Sequence, residues 1–155
     1  MITGIRLNNF YAFKKMVQLD LIADMRTHKP IGNAIKIGDY YVLKSSCIYG
    51  ANNVGKSYFV HGISIIKNII LNKGFVFNKN LFNKSNQISF GISFIYNNKM
   101  YDYDFTYDIT IENNSPKGFV YESLDEIRII NGKRIRNNLF LINRINNNYS
   151  FNNES

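Results

Sequence analysis

Tryptophan is absent from these 155 residues, and cysteine, proline and histidine occur only once, twice and twice. The lone Cys47 excludes an internal disulfide framework and fits a reducing compartment; its apolar neighbours make it a candidate core residue. Without a Cys, His and carboxylate cluster, the ligand spacing of a zinc centre is missing. His28 falls in a polar loop, as a solvated residue, and His61 on a helix, as a packing or surface residue and not a catalytic base. Acidic residues are also scarce, 11 against 19 basic, which leaves a formal charge of +8 and favours polyanionic partners: nucleotide, nucleic acid or an anionic membrane surface. The basic residues are spread from Arg6 to Arg144 with no run of five or six. No apolar stretch approaches the ~20 residues that span a bilayer, and the N-terminus has no signal-peptide layout. These absences lead us to expect a cytoplasmic protein with no membrane segment.

The length suits one domain with a real core, assigned to residues 1–145, followed by a polar and aperiodic tail over 146–155 expected to be disordered. Asparagine, isoleucine, lysine, phenylalanine and tyrosine are plentiful, a bias that an AT-rich coding sequence produces by itself. It carries no functional information.

The informative stretch is Cys47 to Phe59, CIYGANNVGKSYF. Gly50, Gly55, Lys56 and Ser57 stand at the GxxxxGKS spacing of a phosphate-binding loop, which requires a strand before it and a helix after it. Tyr41-Val42-Leu43 and Cys47-Ile48-Tyr49 read as a buried strand ending at Gly50. Lys56 to Leu71 repeats apolar residues every three to four positions (Phe59, Val60, Ile63, Ile66, Ile69, Ile70) and reads as a helix stopped near Gly74. A tight loop before a helix aims backbone amides and the helix dipole at one anion. Gly50, Ala51, Asn52, Asn53, Val54, Gly55, Lys56, Ser57 and Tyr58 are therefore the candidate nucleotide-binding residues. Gly50 and Gly55 allow close approach and positive φ, Asn53 tolerates the left-handed region, Lys56 reaches the β- and γ-phosphates, and the Ser57 hydroxyl takes one position on Mg.

Elsewhere the period is two. Ile2 to Asn8 reads as a strand, Asn9 to Phe13 as an aromatic turn, and Met16 to Ile22 as the hairpin return. Ala23 to Gly38, with Lys29-Pro30-Ile31-Gly32-Asn33, reads as a loop, and Gly74 to Asn86 as irregular. Ile88 to Tyr96 and Met100 to Ile111 alternate around an Asn97-Asn98-Lys99 turn; Phe119 to Ile130 and Lys133 to Ile145 flank Asn131-Gly132. The second half is a β-meander.

The opening IRLNNFYAF, the segment VLKSSCIYGANNVGKS and the later GFVYESLDEIRIINGKRI together resemble the N-terminal part of prokaryotic AAA family ATPases with an ABC-like, overcoming-lysogenization-defect or SMC-related head. Members of that family occur in phage-defence systems. The resemblance implies an α/β fold, a partial P-loop NTPase head with a strand-loop-helix nucleotide site plus the meander. It implies ATP and Mg bound at Gly50 to Ser57, with Asn9-Phe10 and Phe13 near the edge of that site. A working head also needs a carboxylate-ended strand, a signature loop from a second head and a switch histidine. Asp125-Glu126 is the nearest acidic pair, but Glu122 and Ser123 break the apolar run that should precede it, so no catalytic residue is assigned. The expectation is ATP binding in a truncated head, with hydrolysis dependent on a second head or downstream partner chain. The alternative is a non-catalytic nucleic-acid-binding module with a vestigial loop, in which Tyr101, Tyr103, Phe105 and Tyr107 either stack bases or form a core face.

Overall fold

The computed structural model describes residues 1–23, 32–112, 115–130 and 133–152. His28, Lys29-Pro30-Ile31 and the Asn131-Gly132 turn lie outside them. Nine strands and one helix follow in the order β1 Ile2–Asn8, β2 Val17–Asp20, β3 Ala34–Ile37, β4 Tyr40–Leu43, α1 Lys56–Ile70, β5 Gln87–Tyr96, β6 Lys99–Glu112, β7 Ser115–Ile130, β8 Lys133–Asn143 and β9 Asn148–Phe151. Seven strands make one antiparallel sheet in the order β2-β1-β5-β6-β7-β8-β9, and β3-β4 is a separate hairpin.

Alternation divides the sheet into two unlike faces. Ile5 stands between Leu19 of β2 and Ile92 of β5, and Leu7 between Val17 and Phe90, so this face is apolar. α1 packs onto it through Phe59, Ile65 and Ile66, which join Ile5, Leu7, Phe10, Ile88, Phe90 and Phe105 in the main core. Gly62 is what lets the helix approach, since a Cβ there would lie 2.5 Å from Leu7 Cδ1. The opposite face carries Arg6, Gly91, Asp104 and Ser123 in one row across four strands. At one end of that face the β3-β4 hairpin adds a smaller core of Val42 on Ile95, Met100 and Ile127.

The polar face is an ion network. Asp102, 1% exposed, accepts a hydrogen bond from Ser93 Oγ at 2.6 Å and faces Arg6 at 3.6 Å and Arg136 at 3.3 Å. Arg6 also holds Asp104 at 3.0 Å, and Arg136 reaches Asp125 at 3.5 Å. Gly91 opens the gap through which Arg6 crosses β5, because a Cβ at Gly91 would sit 2.5 Å from Arg6 Nε and closer still to Asp104 Oδ1.

The expected α/β head with a strand-loop-helix site is not the fold. Among the described residues the sheet is wholly antiparallel, with one helix against nine strands, and no strand enters the loop. β4 stops at Leu43; it pairs with β3 and, through an Ile22-Val42 bridge, touches the segment after β2, but it is not a strand of the main sheet. Asn33 ends it: its side-chain oxygen accepts from Ser45 N at 3.1 Å and Ser45 Oγ at 2.8 Å, which turns the chain at Lys44-Ser45-Ser46. Ile48 and Tyr49 are therefore 43% and 92% exposed, and Cys47 is exposed and not a core residue. Two more segments differ. Ala34–Ile37, read as loop, is β3, and Asn148–Phe151, read as part of a disordered tail, is an edge strand on β8. The hairpins β1-β2, β5-β6 and β7-β8 stand where the alternation puts them.

Candidate functional site

The loop that precedes α1 has three residues at positive φ: Gly50 at 154°, Asn53 at 64° and Gly55 at 101°. Gly55 is the N-cap of the helix, without a side-chain cap, and its carbonyl accepts the Phe59 amide at 3.0 Å. No acidic residue occupies the first turn, so the positive end of the helix dipole is not neutralised locally. Gly55 is required twice over, by its backbone angle and by space: a Cβ would meet Phe13 Cε1 at 2.8 Å and Ala12 Cβ at 3.2 Å.

Lys56, the first helical residue, folds back over the loop. Its ammonium donates to the Gly50 carbonyl at 2.8 Å and to the Ala51 carbonyl. The loop is thereby a ring closed by a cation, with Ala51, Asn52, Asn53 and Val54 forming its exposed rim. Beside it a cavity of about 220 Å³ is lined by Phe13, Gln18, Leu19, Tyr49, Val54 and Lys56 among others. Ser57 and Tyr58 lie on the exposed side of the first turn, and the Tyr58 ring stacks on Tyr11 at 4.7 Å.

The N-terminal turn is thus split between two tasks. Phe13 borders the loop cavity. Phe10 is fully buried, stacked on His61 at 6.0 Å and edge-on to Phe90 at 5.6 Å, and serves the core. His61 packs on Phe10 and Tyr11, as a packing residue should. Comparison with protein-family models, curated proteins and solved structures gives no match.

The other sequence candidates gather elsewhere. Asp125 and Glu126 lie on β7, one on each face of the sheet, and each is held by cations: Asp125 by Arg136, and Glu126 by Arg128 at 3.3 Å and Lys99 at 3.2 Å. The hydrogen bond from Arg128, followed by that from Lys99, keeps the Glu126 carboxyl below its ordinary value against the opposing effect of burial. These are structural ion pairs, and neither residue lines the cavity beside the loop. Phe105 is fully buried, stacked on Phe90 at 5.3 Å, while Tyr107 packs edge-on to Phe119 at 5.2 Å. Phe105 and Tyr107 are thus held in ring-ring packing on the helix side of the sheet.

Reading the sequence did not identify the Tyr11-Tyr58 stack, the contribution of β2 to the cavity, or the ion network. For the network a signal was present: Asp102, Asp104 and Asp108 alternate with aromatics along β6, so carboxylates share the face opposite the core. Burial raises the Asp104 carboxyl above its ordinary value, an effect that the adjacent Arg6 partly offsets. No helix is long and apolar enough to cross a membrane among the described residues.

Proposed function

We propose that Gly50 to Ser57 bind the phosphate chain of a magnesium nucleotide, ATP in the first instance. The observation that carries the proposal is the position of Lys56. Its ammonium rests on the Gly50 and Ala51 carbonyls beside the N-terminus of α1, an end with no side-chain cap and no acidic residue in its first turn, where free amides and the helix dipole favour an anion. On binding, the ammonium exchanges those carbonyls for phosphate oxygens, a charge-assisted pair stronger than the contacts it leaves. The amides of residues 51 to 57 donate to the remaining oxygens, and Ser57 offers its hydroxyl to Mg. Tyr58, on the same turn, offers a ring edge to the rest of the nucleotide.

This is a binding site first. With Asp125 and Glu126 committed to ion pairs on β7, activation of water for hydrolysis depends on a carboxylate contributed by another chain or another part of the protein. Calorimetric titration with a slowly hydrolysed ATP analogue, with and without Mg, tests the reading. Lys56→Ala should weaken binding ten- to a hundredfold, the effect of losing a charge-assisted hydrogen bond worth about 1.5–3 kcal/mol. Equal affinity in a folded Lys56→Ala variant would refute the assignment.

A further inference from the structure

Two surfaces on the helix side of the sheet have no cover among the described residues. A seven-stranded sheet measures about 29 Å between its outer strands, and one helix about 10 Å across covers two of them. α1 lies over β1 and β5. Beside its C-terminal half, a trough of about 750 Å³ runs between Ile70 and the face of β6-β8, floored by Phe94, Tyr103, Leu124 and Phe140. The second surface is the helix itself. Its outward stripe is Val60, Ser64, Lys67 and Leu71, with Val60 57% and Leu71 51% exposed. On the flank turned to the trough stand Ile63 and Ile70, two helical turns apart, with Ile70 52% exposed. A helix with apolar residues on its outward side and its flank as well as its inner face is one that packs on more than one side.

The two surfaces also match in charge. Glu122 is the charged residue lining the trough, where its carboxylate accepts from Tyr103 Oη at 3.1 Å and from Arg144 at 3.1 Å. Lys67 is the charged residue of the outward stripe.

We propose that two copies of this chain associate face to face, α1 of each lying along the trough of the other. A two-fold axis parallel to the helices satisfies every surface at once. Each helix is then sandwiched between its own β1-β5 and the other copy's β6-β8, Ile63 and Ile70 meet their counterparts across the axis, and Lys67 of each copy meets the other's Glu122. An axis normal to the sheets leaves both on one side, and an in-plane axis across the helices superimposes them. Of these three orientations only the parallel axis remains, and it brings both phosphate-binding loops to the same end of the assembly. The sheet patch, three strands or about 14 Å wide and about 20 Å long, together with a helix strip of the same length, amounts to roughly 500 Å² per copy. That is the small end of specific interfaces, the size class of weak and transient association.

Sedimentation velocity of the 155-residue chain, taken up to about 200 µM to cover such weak affinities, should show a concentration-dependent dimer. A monomer throughout would overturn the proposal, including the case in which the trough is filled by a different protein. Leu71→Lys places a favourable cation at the helix C-terminus, so the fold persists, and it should weaken the dimer roughly tenfold or more. No change would overturn the arrangement. Carbodiimide treatment of mixed isotope-labelled and unlabelled chains should give a Lys67-Glu122 cross-link carrying both labels. A dimer without that mixed cross-link would place the interface elsewhere, and the proposal would fail.

Discussion

Gly62→Ala sets two well-characterised effects against each other at the point where the helix of the phosphate loop is anchored. Alanine in a helix interior is favoured over glycine by about 1 kcal/mol. Against this, the new methyl would lie 2.5, 2.9 and 3.3 Å from three carbons of Leu7. Leu7 is fully buried beside Phe10, Ile88 and Phe90, so its side chain has no empty space to enter. Overpacking of this kind costs about 1–3 kcal/mol. Overpacking should win, giving a net loss of about 1 kcal/mol, or roughly 2–4 °C in midpoint temperature for a chain of this size. Far-UV circular dichroism in urea reads this without tryptophan, and an unchanged m-value would confirm that unfolding is of the same kind. Leu7→Ala alone should cost about 2–5 kcal/mol; in the Gly62→Ala background the new methyl enters the vacated volume, so the two changes should couple by about 1 kcal/mol or more. A stabilised Gly62→Ala protein, or strictly additive changes, would mean that α1 does not sit on Leu7.

Two further outcomes probe the ion pairs. Asp102→Asn leaves Arg6 and Arg136 short of a carboxylate in a buried network and should cost about 3 kcal/mol, the lower end for a broken buried pair because Arg136 is 57% exposed; a loss under about 0.5 kcal/mol by chemical denaturation would show that the network contributes nothing net. For Glu126 the folded-state value lies below the ordinary 4.5, so its contribution is present above pH 4.5 and is lost as pH falls through the lowered value. Glu126→Gln should therefore flatten the fall in stability below pH 4.5, measured as urea midpoints against pH, and an unaltered slope would mean that the pairs with Arg128 and Lys99 do not form in solution.

Period-two alternation in β1, β5, β6, β7 and β8 and the apolar period of α1 made most of the antiparallel sheet readable, because each of these elements buries one face of its own. The segments misread lack that feature. Cys47-Ile48-Tyr49 has strand-like composition, but the turn fixed by Asn33 upstream diverts the chain and leaves it exposed, a contact 12 residues away in sequence. β9 is exposed throughout and exists because β8 offers it hydrogen bonds, which composition does not reveal. The overall class was misjudged for the same reason: a phosphate-loop pattern suggested an α/β head with a strand-loop-helix site, while the strand needed to lead into the loop ends at Leu43. At the loop itself, the residue types that allow positive φ, Asn53 and Gly55, were legible, whereas Phe13 against Gly55 was not.

The gap at Gly91 bears on how the chain finds its register. Strands of alternating residues can slide past one another by two positions and still present the same face, so alternation alone does not choose among registers. Here Arg6 must cross the neighbouring strand at its one side-chain-free position on that face, and a slip of β5 by two residues would bring Ser89 or Ser93 under the guanidinium. Glycine, the weakest strand former in the segment, thus acts as a key slot: only one alignment of β1, β5 and β6 lets the cation pass. Strands 80 residues apart in sequence are indexed by an absence, and a side chain added there should leave the composition of the sheet intact while removing the means of distinguishing the native alignment from its neighbours.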